Sequence, residues 1–116
     1  MNKISRGQIW CVDLNPTKGA EIRKKRPCIV VSSDVIGKLP LKLVVPITEW
    51  NELYENSPWL IKLKPDSHNG LDKLSAADAY QVRSVAVERF TTYKGVVSHE
   101  QLADIAAAIG IVIEIT

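Results

Sequence analysis

The chain has 116 residues, 46% of them apolar and 24% charged, with a formal net charge of +2. That is one domain's length with apolar matter for one modest core, and the balanced charge excludes both a disordered polyelectrolyte and a protein that coats nucleic acid by bulk charge. Cys11 and Cys28 are too few for a disulfide framework. With no apolar signal core at the start of the chain, they read as reduced thiols of a cytoplasmic protein. The longest apolar run, Ile105 to Ile113, has nine residues and contains Gly110, against roughly 20 for a membrane span. No membrane association is expected, and with no repeat, low-complexity tract or linker, residues 1–116 read as a single domain.

Ile9 to Leu14 reads as a strand, followed by turn-forming residues, Asn15-Pro16-Thr17-Lys18-Gly19. Cys28-Ile29-Val30-Val31 is β-branched and bounded by Pro27 and Ser32-Ser33-Asp34, which predicts a second strand. Leu41 to Thr48 alternates: Leu41, Leu43, Val45 and Ile47 on one face, Lys42, Val44, Pro46 and Thr48 on the other. Pro46 points to an edge or to the strand's end. Trp59 to Lys64 alternates as a further strand, Tyr80 to Ser84 as another, and Tyr93 to Val97 as a short last one. The end of the chain changes period: Leu102, Ile105, Ala106, Ile109, Val112 and Ile113 follow helical spacing. Ser98 and Gln101 have the spacing of a capping box, and Gly110 costs this helix roughly 1 kcal/mol relative to alanine. Many short strands and then a helix describe a small barrel or sandwich with a terminal helix, not a βαβ fold.

The chain carries no glycine-rich phosphate loop. Cys11 and Cys28 lie 17 apart without paired ligands, so no zinc site or other metal is expected, and both read as small buried core residues. His68 falls in a loop and His99 at the start of the helix, so an acid–base pair of histidines has no local support. The positive excess is concentrated in residues 18–26, where Lys18, Arg23, Lys24, Lys25 and Arg26 oppose Glu21 alone. This net +4 leaves −2 on the rest of the chain. A basic loop between two strands is either a phosphate-binding element or a solvated turn. Arg26 precedes Pro27, which favours extended backbone, so its guanidinium stands at a firm strand entrance and can hold a phosphate bidentately. Thr48, Gln81 and Arg83 project from the polar faces of their strands. If those strands are neighbours, Arg26, Thr48, Gln81 and Arg83 line one groove.

At these residues the sequence resembles the MazF/PemK family of toxin–antitoxin endoribonucleases. The resemblance is carried by Arg6-Gly7-Gln8-Ile9-Trp10, by Val12-Asp13-Leu14-Asn15-Pro16-Thr17-Lys18-Gly19-Ala20-Glu21-Ile22, and by Arg26-Pro27-Cys28-Ile29-Val30-Val31-Ser32-Ser33-Asp34. Val44-Val45-Pro46-Ile47-Thr48 resembles the family's segment ending in an active-site threonine, and Tyr80-Gln81-Val82-Arg83-Ser84 its glutamine-arginine segment. The resemblance implies an SH3-like barrel of short antiparallel strands with a C-terminal helix, usually a homodimer. It implies cleavage of single-stranded RNA, mostly mRNA, without metal or cofactor, and inhibition by a cognate antitoxin through an acidic, partly disordered segment.

It also implies roles: Arg26 and Thr48 as catalytic residues, with Lys18, Glu21, Arg23, Lys24, Lys25, Gln81 and Arg83 as RNA contacts. Two features depart from some relatives, which use an Arg-x-Asp pair before the glutamine and an early histidine. Here the stretch is Asp78-Ala79-Tyr80-Gln81, and residue 17 is Thr17. The competing readings are a gyrase poison of the same fold and a silent RNA binder. The first would use a tryptophan near the C-terminus, whereas this chain has no aromatic residue after Tyr93.

Overall fold

A computed structural model describes residues 3–36 and 38–115. Among them, the strands are β1 (Gln8–Asp13), β2 (Lys25–Val30), β3 (Leu41–Glu49), β4 (Leu60–Leu63), β5 (Ser75–Asp78), β6 (Arg83–Ala86) and β7 (Phe90–Val96). The helix α1 (His99–Val112) follows, and short 3-10 turns fill Asp34–Ile36, Glu52–Tyr54, Ala79–Gln81 and Val87–Arg89. Every pairing is antiparallel, in the order β4-β5-β3-β2-β1-β7, with β6 also against β3. β4 and β7 stand at the two ends of this path, so the barrel-like sheet is open. No described helix is long and apolar enough to cross a membrane.

Period-2 alternation gives the sheet a core on each face. Ile9, Ile29 and Val45 are cross-strand partners in a row, and with Ile47, Leu63 and Ala77 they pack under Leu102 and Ile105 of α1. Their neighbours point the other way: Trp10, Val12, Cys28, Val30 and Val44 form a second core with Leu14 and Val85. A one-residue slip of β2 would exchange the two sets, so the register is set by which core each side chain fills. The helix is seated as its spacing predicts. Ser98 Oγ accepts from the Gln101 amide while Gln101 Oε1 accepts from the Ser98 amide, at 3.1 and 2.9 Å, and Leu102, Ile105 and Ala108 are the buried positions.

The structure departs from the sequence reading at four places. Pro46 marks neither an edge nor an end, because β3 is the central strand. It pairs through Leu41–Val44 with β6 and through Ile47–Glu49 with β5. Pro46 sits where one neighbour leaves and the next arrives, the place where a missing N–H breaks no ladder on that side. The two faces of β3 hold, with Val45 and Ile47 in one core and Val44 in the other, but burial does not follow the apolar face: Val44 to Ile47 are all buried, whereas Leu41 and Leu43 are 45% and 44% exposed. Tyr80 to Ser84 is not one strand, because the Asp78 carboxylate accepts from the Tyr80 amide and turns residues 79–81 into a 3-10 bend before β6 begins at Arg83. Finally, β5 has no counterpart in the sequence reading: Ser75-Ala76-Ala77-Asp78 has little β propensity and is a strand because its small side chains fit, buried, between β3 and β4.

Candidate active site

The end of β3 and the entrance of β2 meet at an open cavity of about 330 Å³. Arg26, Pro27, Cys11, Ile47 and Thr48 line one side of it, and Gly70, Leu71, Asp72, Lys73, Ser75 and Lys94, with Glu49, line the other. Arg26 is on β2 opposite Val12 of β1, and its Nε donates to the Arg23 carbonyl at 3.3 Å, which orients the guanidinium and leaves its terminal nitrogens for a ligand. Thr48 is half-buried on β3 opposite Ala76 of β5. A small residue across the ladder leaves its side chain open to the cavity. The two residues expected to be catalytic therefore converge from different strands. A charged fork and a hydroxyl at the rim of one cleft match the needs of a phosphate that must be gripped and turned.

Gln81 and Arg83 do not join them. They line a second, open groove of about 550 Å³ with Ala20, Glu21, Tyr80 and Val82. Arg83 pairs with Val44 and Thr48 with Ala76, positions four residues or about 13 Å apart along β3. The expectation of one groove is thus corrected to two, because β6 and β5 take different halves of β3.

Both side chains also hold the basic loop. Gln81 Oε1 accepts from the Ile22 amide at 2.6 Å and its Nε2 donates to Asp78 Oδ2 at 3.1 Å, while Arg83 Nη1 donates to the Leu14 carbonyl at 3.3 Å. Arg89, which the sequence reading did not single out, donates from Nη1 to the carbonyls of Asp13, at 3.0 Å, and Asn15. Inside the loop, Glu21 Oε1 accepts from the Lys18 amide at 2.6 Å, so Glu21 is first a loop cap. Lys24 takes a positive φ of 69°, a conformation costing roughly 1–2 kcal/mol. It is held by its amide on Asn15 Oδ1 at 3.1 Å and its carbonyl on the Leu14 amide at 3.0 Å. Lys18, Arg23 and Lys24 are thereby exposed on a loop fixed at its base, and Lys25 is exposed where β2 begins.

Burial also sorts the titratable groups. Cys28 is fully buried, and its thiol is pushed up to about 12 by that burial and by nearby Cys11, with Arg83 partly opposing. Cys11, expected in the core, is instead partly exposed at the cavity wall. Asp78 has its pKa raised by burial, against the pull of hydrogen bonds from Tyr80 and Gln81. His68 and His99 are both exposed and line neither depression. The residues that sequence reasoning missed are those of the far wall. Asn69-Gly70 signals a turn, but nothing in the local pattern tells that Asp72, Lys73 and Lys94 line the same cavity as Thr48.

A small open β-sheet with an arginine and a threonine at one cleft, and a basic loop beside it, defines a protein built to handle a phosphodiester chain. The family model described as "PemK-like, MazF-like toxin of type II toxin-antitoxin system" matches residues 5–113. Endoribonuclease MazF9 of Mycobacterium tuberculosis (strain ATCC 25618 / H37Rv) is 35% identical over 112 residues, covering 91% of this chain and 92% of that protein. Endoribonuclease toxin MazF of Escherichia coli (strain K12) is 36% identical over 107 residues, covering 90% and 88%. The fold is that of a MazF crystal structure from Deinococcus radiodurans, with a TM-score of 0.80, 19% identity and coverage of 99% of this chain and 100% of that one. The chain belongs to the PemK-like, MazF-like toxin family.

Proposed function

We propose that this chain is the toxin of a type II toxin–antitoxin pair and cuts single-stranded RNA in the cytoplasm without a metal. The observation that carries this reading is the convergence of Arg26 and Thr48 on one open cleft, beside a basic loop fixed at its base. The nucleophile is the RNA's own 2′-hydroxyl, held next to its phosphorus, so the protein supplies neither a nucleophile nor a metal-bound water. The 2′-oxygen forms a bond to phosphorus and the bond to the 5′-oxygen breaks, giving a cyclic phosphate and a 5′-hydroxyl end. Solvent takes the 2′-proton and returns one to the leaving oxygen. Arg26 keeps its own proton and holds the negative charge that grows on the phosphoryl oxygens, while the Thr48 hydroxyl orients the phosphate.

Lys18, Arg23, Lys24 and Lys25 track the backbone on either side of the cut. Glu21, Gln81 and Arg83, in the second groove, contact the chain further along and keep the loop in place. An antitoxin with an acidic, partly disordered segment fits the same basic loop. A second copy of the chain is the occupant assigned to the apolar face where Ile36, Leu39, Leu41 and Leu43 surround a shallow groove of about 240 Å³.

The test is incubation with long unstructured RNA in excess EDTA, followed by sequencing of the ends. Wild type is expected to leave 5′-hydroxyl ends. Arg26→Ala and Thr48→Ala are expected to be roughly 10²–10³ slower, the usual loss for one preorganised donor. Full activity in Arg26→Ala would remove that residue from the mechanism.

A further inference from the structure

The far wall of the cleft is more rigid than a surface loop needs to be. Residues 64–71 close around Asn69, which is fully buried. Its Oδ1 accepts from the amides of Asp66 and Leu71 at 3.2 and 3.0 Å, and its Nδ2 donates to the Lys64 carbonyl at 2.8 Å. Asp66 Oδ1 in turn accepts from the amides of His68 and Asn69 at 2.8 and 2.9 Å. The loop is pressed onto β7 through two glycines: a Cβ on Gly70 would run into the Lys94 carbonyl, and one on Gly95 into the His68 carbonyl. The Val96 amide donates to the His68 carbonyl at 2.9 Å. Beyond the loop, the Ser75 hydroxyl donates to the Lys73 carbonyl at 2.8 Å and the Trp50 amide to the Leu74 carbonyl at 3.0 Å.

This fixed backbone carries solvated charge. Lys73 Nζ lies 3.9 Å from Glu49 Oε2, with the two side chains 72% and 71% exposed. An ion pair so open to water contributes next to nothing to stability. Yet both members line the cavity that holds Arg26 and Thr48, and Glu49 follows Thr48 directly in the chain. Rigid support under two groups with no structural role is the arrangement of a recognition element.

We propose that Glu49 and Lys73 together read one nucleobase beside the scissile phosphate, which rests on the RNA-cleaving reading of the Arg26–Thr48 cleft. Single-stranded RNA presents its unstacked bases with their hydrogen-bonding edges free. Each edge sets N–H donors beside a carbonyl or ring nitrogen. The Glu49 carboxylate accepts from an amino or ring N–H, and the Lys73 ammonium donates to the neighbouring oxygen or nitrogen. The acceptor and donor stand 3.9 Å apart at the ends of long, exposed side chains, so both reach neighbouring groups of one base edge. The phosphate contact holds the strand in place, and the pair selects which nucleotide occupies that place.

The experiment is cleavage of a randomised single-stranded RNA pool, with sequencing of the cut ends, by wild type, Glu49→Gln and Lys73→Met. Thermal melts check that these surface variants stay folded. Both variants are expected to lose, by about tenfold, the base preference at one and the same position next to the cut, while preferences elsewhere persist. A uniform change of rate on all sequences, or an unchanged preference at every position, overturns the proposal and leaves the nuclease reading standing. Absence of any cleavage by wild type overturns the nuclease reading, and the base-reading pair falls with it.

Discussion

The two cysteines show how position within a strand decides chemistry. Both lie in apolar runs, yet Cys28 faces the second core while Cys11, on the neighbouring strand, reaches the cleft. Only a thiolate reacts with an alkylating reagent, and a thiol pushed up to about 12 gives very little of it near neutrality. Limited iodoacetamide treatment is therefore expected to modify Cys11 and spare Cys28 until the chain unfolds, and the adduct, lying in the cleft, is expected to slow RNA cleavage. Peptide mapping by mass spectrometry that found both cysteines equally labelled would show that the cores are not arranged as described. At this scale the sequence was legible where a residue's neighbours in the chain set its place, as for Arg26 at the strand entrance before Pro27 and Ser98 at the helix cap before Gln101. Cys11 was not legible, since the same apolar run feeds a core on one side and a cavity on the other.

Among the elements, helix α1 was the most legible, because its period and its cap both lie within a few residues of each other. β5 was the least, since a Ser-Ala-Ala-Asp strand exists only through the space that β3 and β4 leave for it. The same contrast explains the site. Thr48 and Arg26 sit on strands with clear patterns, whereas the far wall is a loop whose position depends on a contact with β7, more than twenty residues later in the chain. That contact makes a prediction. Gly95→Ala places a methyl group against the His68 carbonyl, so a loss of at least about 3 kcal/mol is expected, beyond ordinary overpacking. In a domain of this size that lowers Tm by about 10 °C or more. A melting temperature within a degree or two of wild type would mean that the loop is not pressed onto β7.

For the whole molecule, the exposed apolar residues are as telling as the buried ones. Ile36 is 57% exposed, Leu39 53%, Leu41 45% and Leu43 44%, in a cluster that water does not favour. Leu43→Asp is expected to turn a dimer into a monomer in sedimentation equilibrium, with the fold retained because the side chain packs in neither core. A wild-type chain that is monomeric at micromolar concentration would remove the second copy from that face. The sequence alternation put Leu41 and Leu43 on one face with Val45 and Ile47, and no pattern within one chain distinguishes a leucine meant for its own core from one meant for another copy. The close approach of the His68–Gly70 loop to Lys94 and Gly95 of β7, finally, divides the molecule into parts that can change independently. The foundation of the cleft wall tolerates no side chain at two points, whereas Asp72 and Lys73 stand on it exposed. With Glu49 and Lys73 in the base-reading role proposed above, a library varied at positions 49, 72 and 73 alone is expected to give folded proteins that cut at altered sequences.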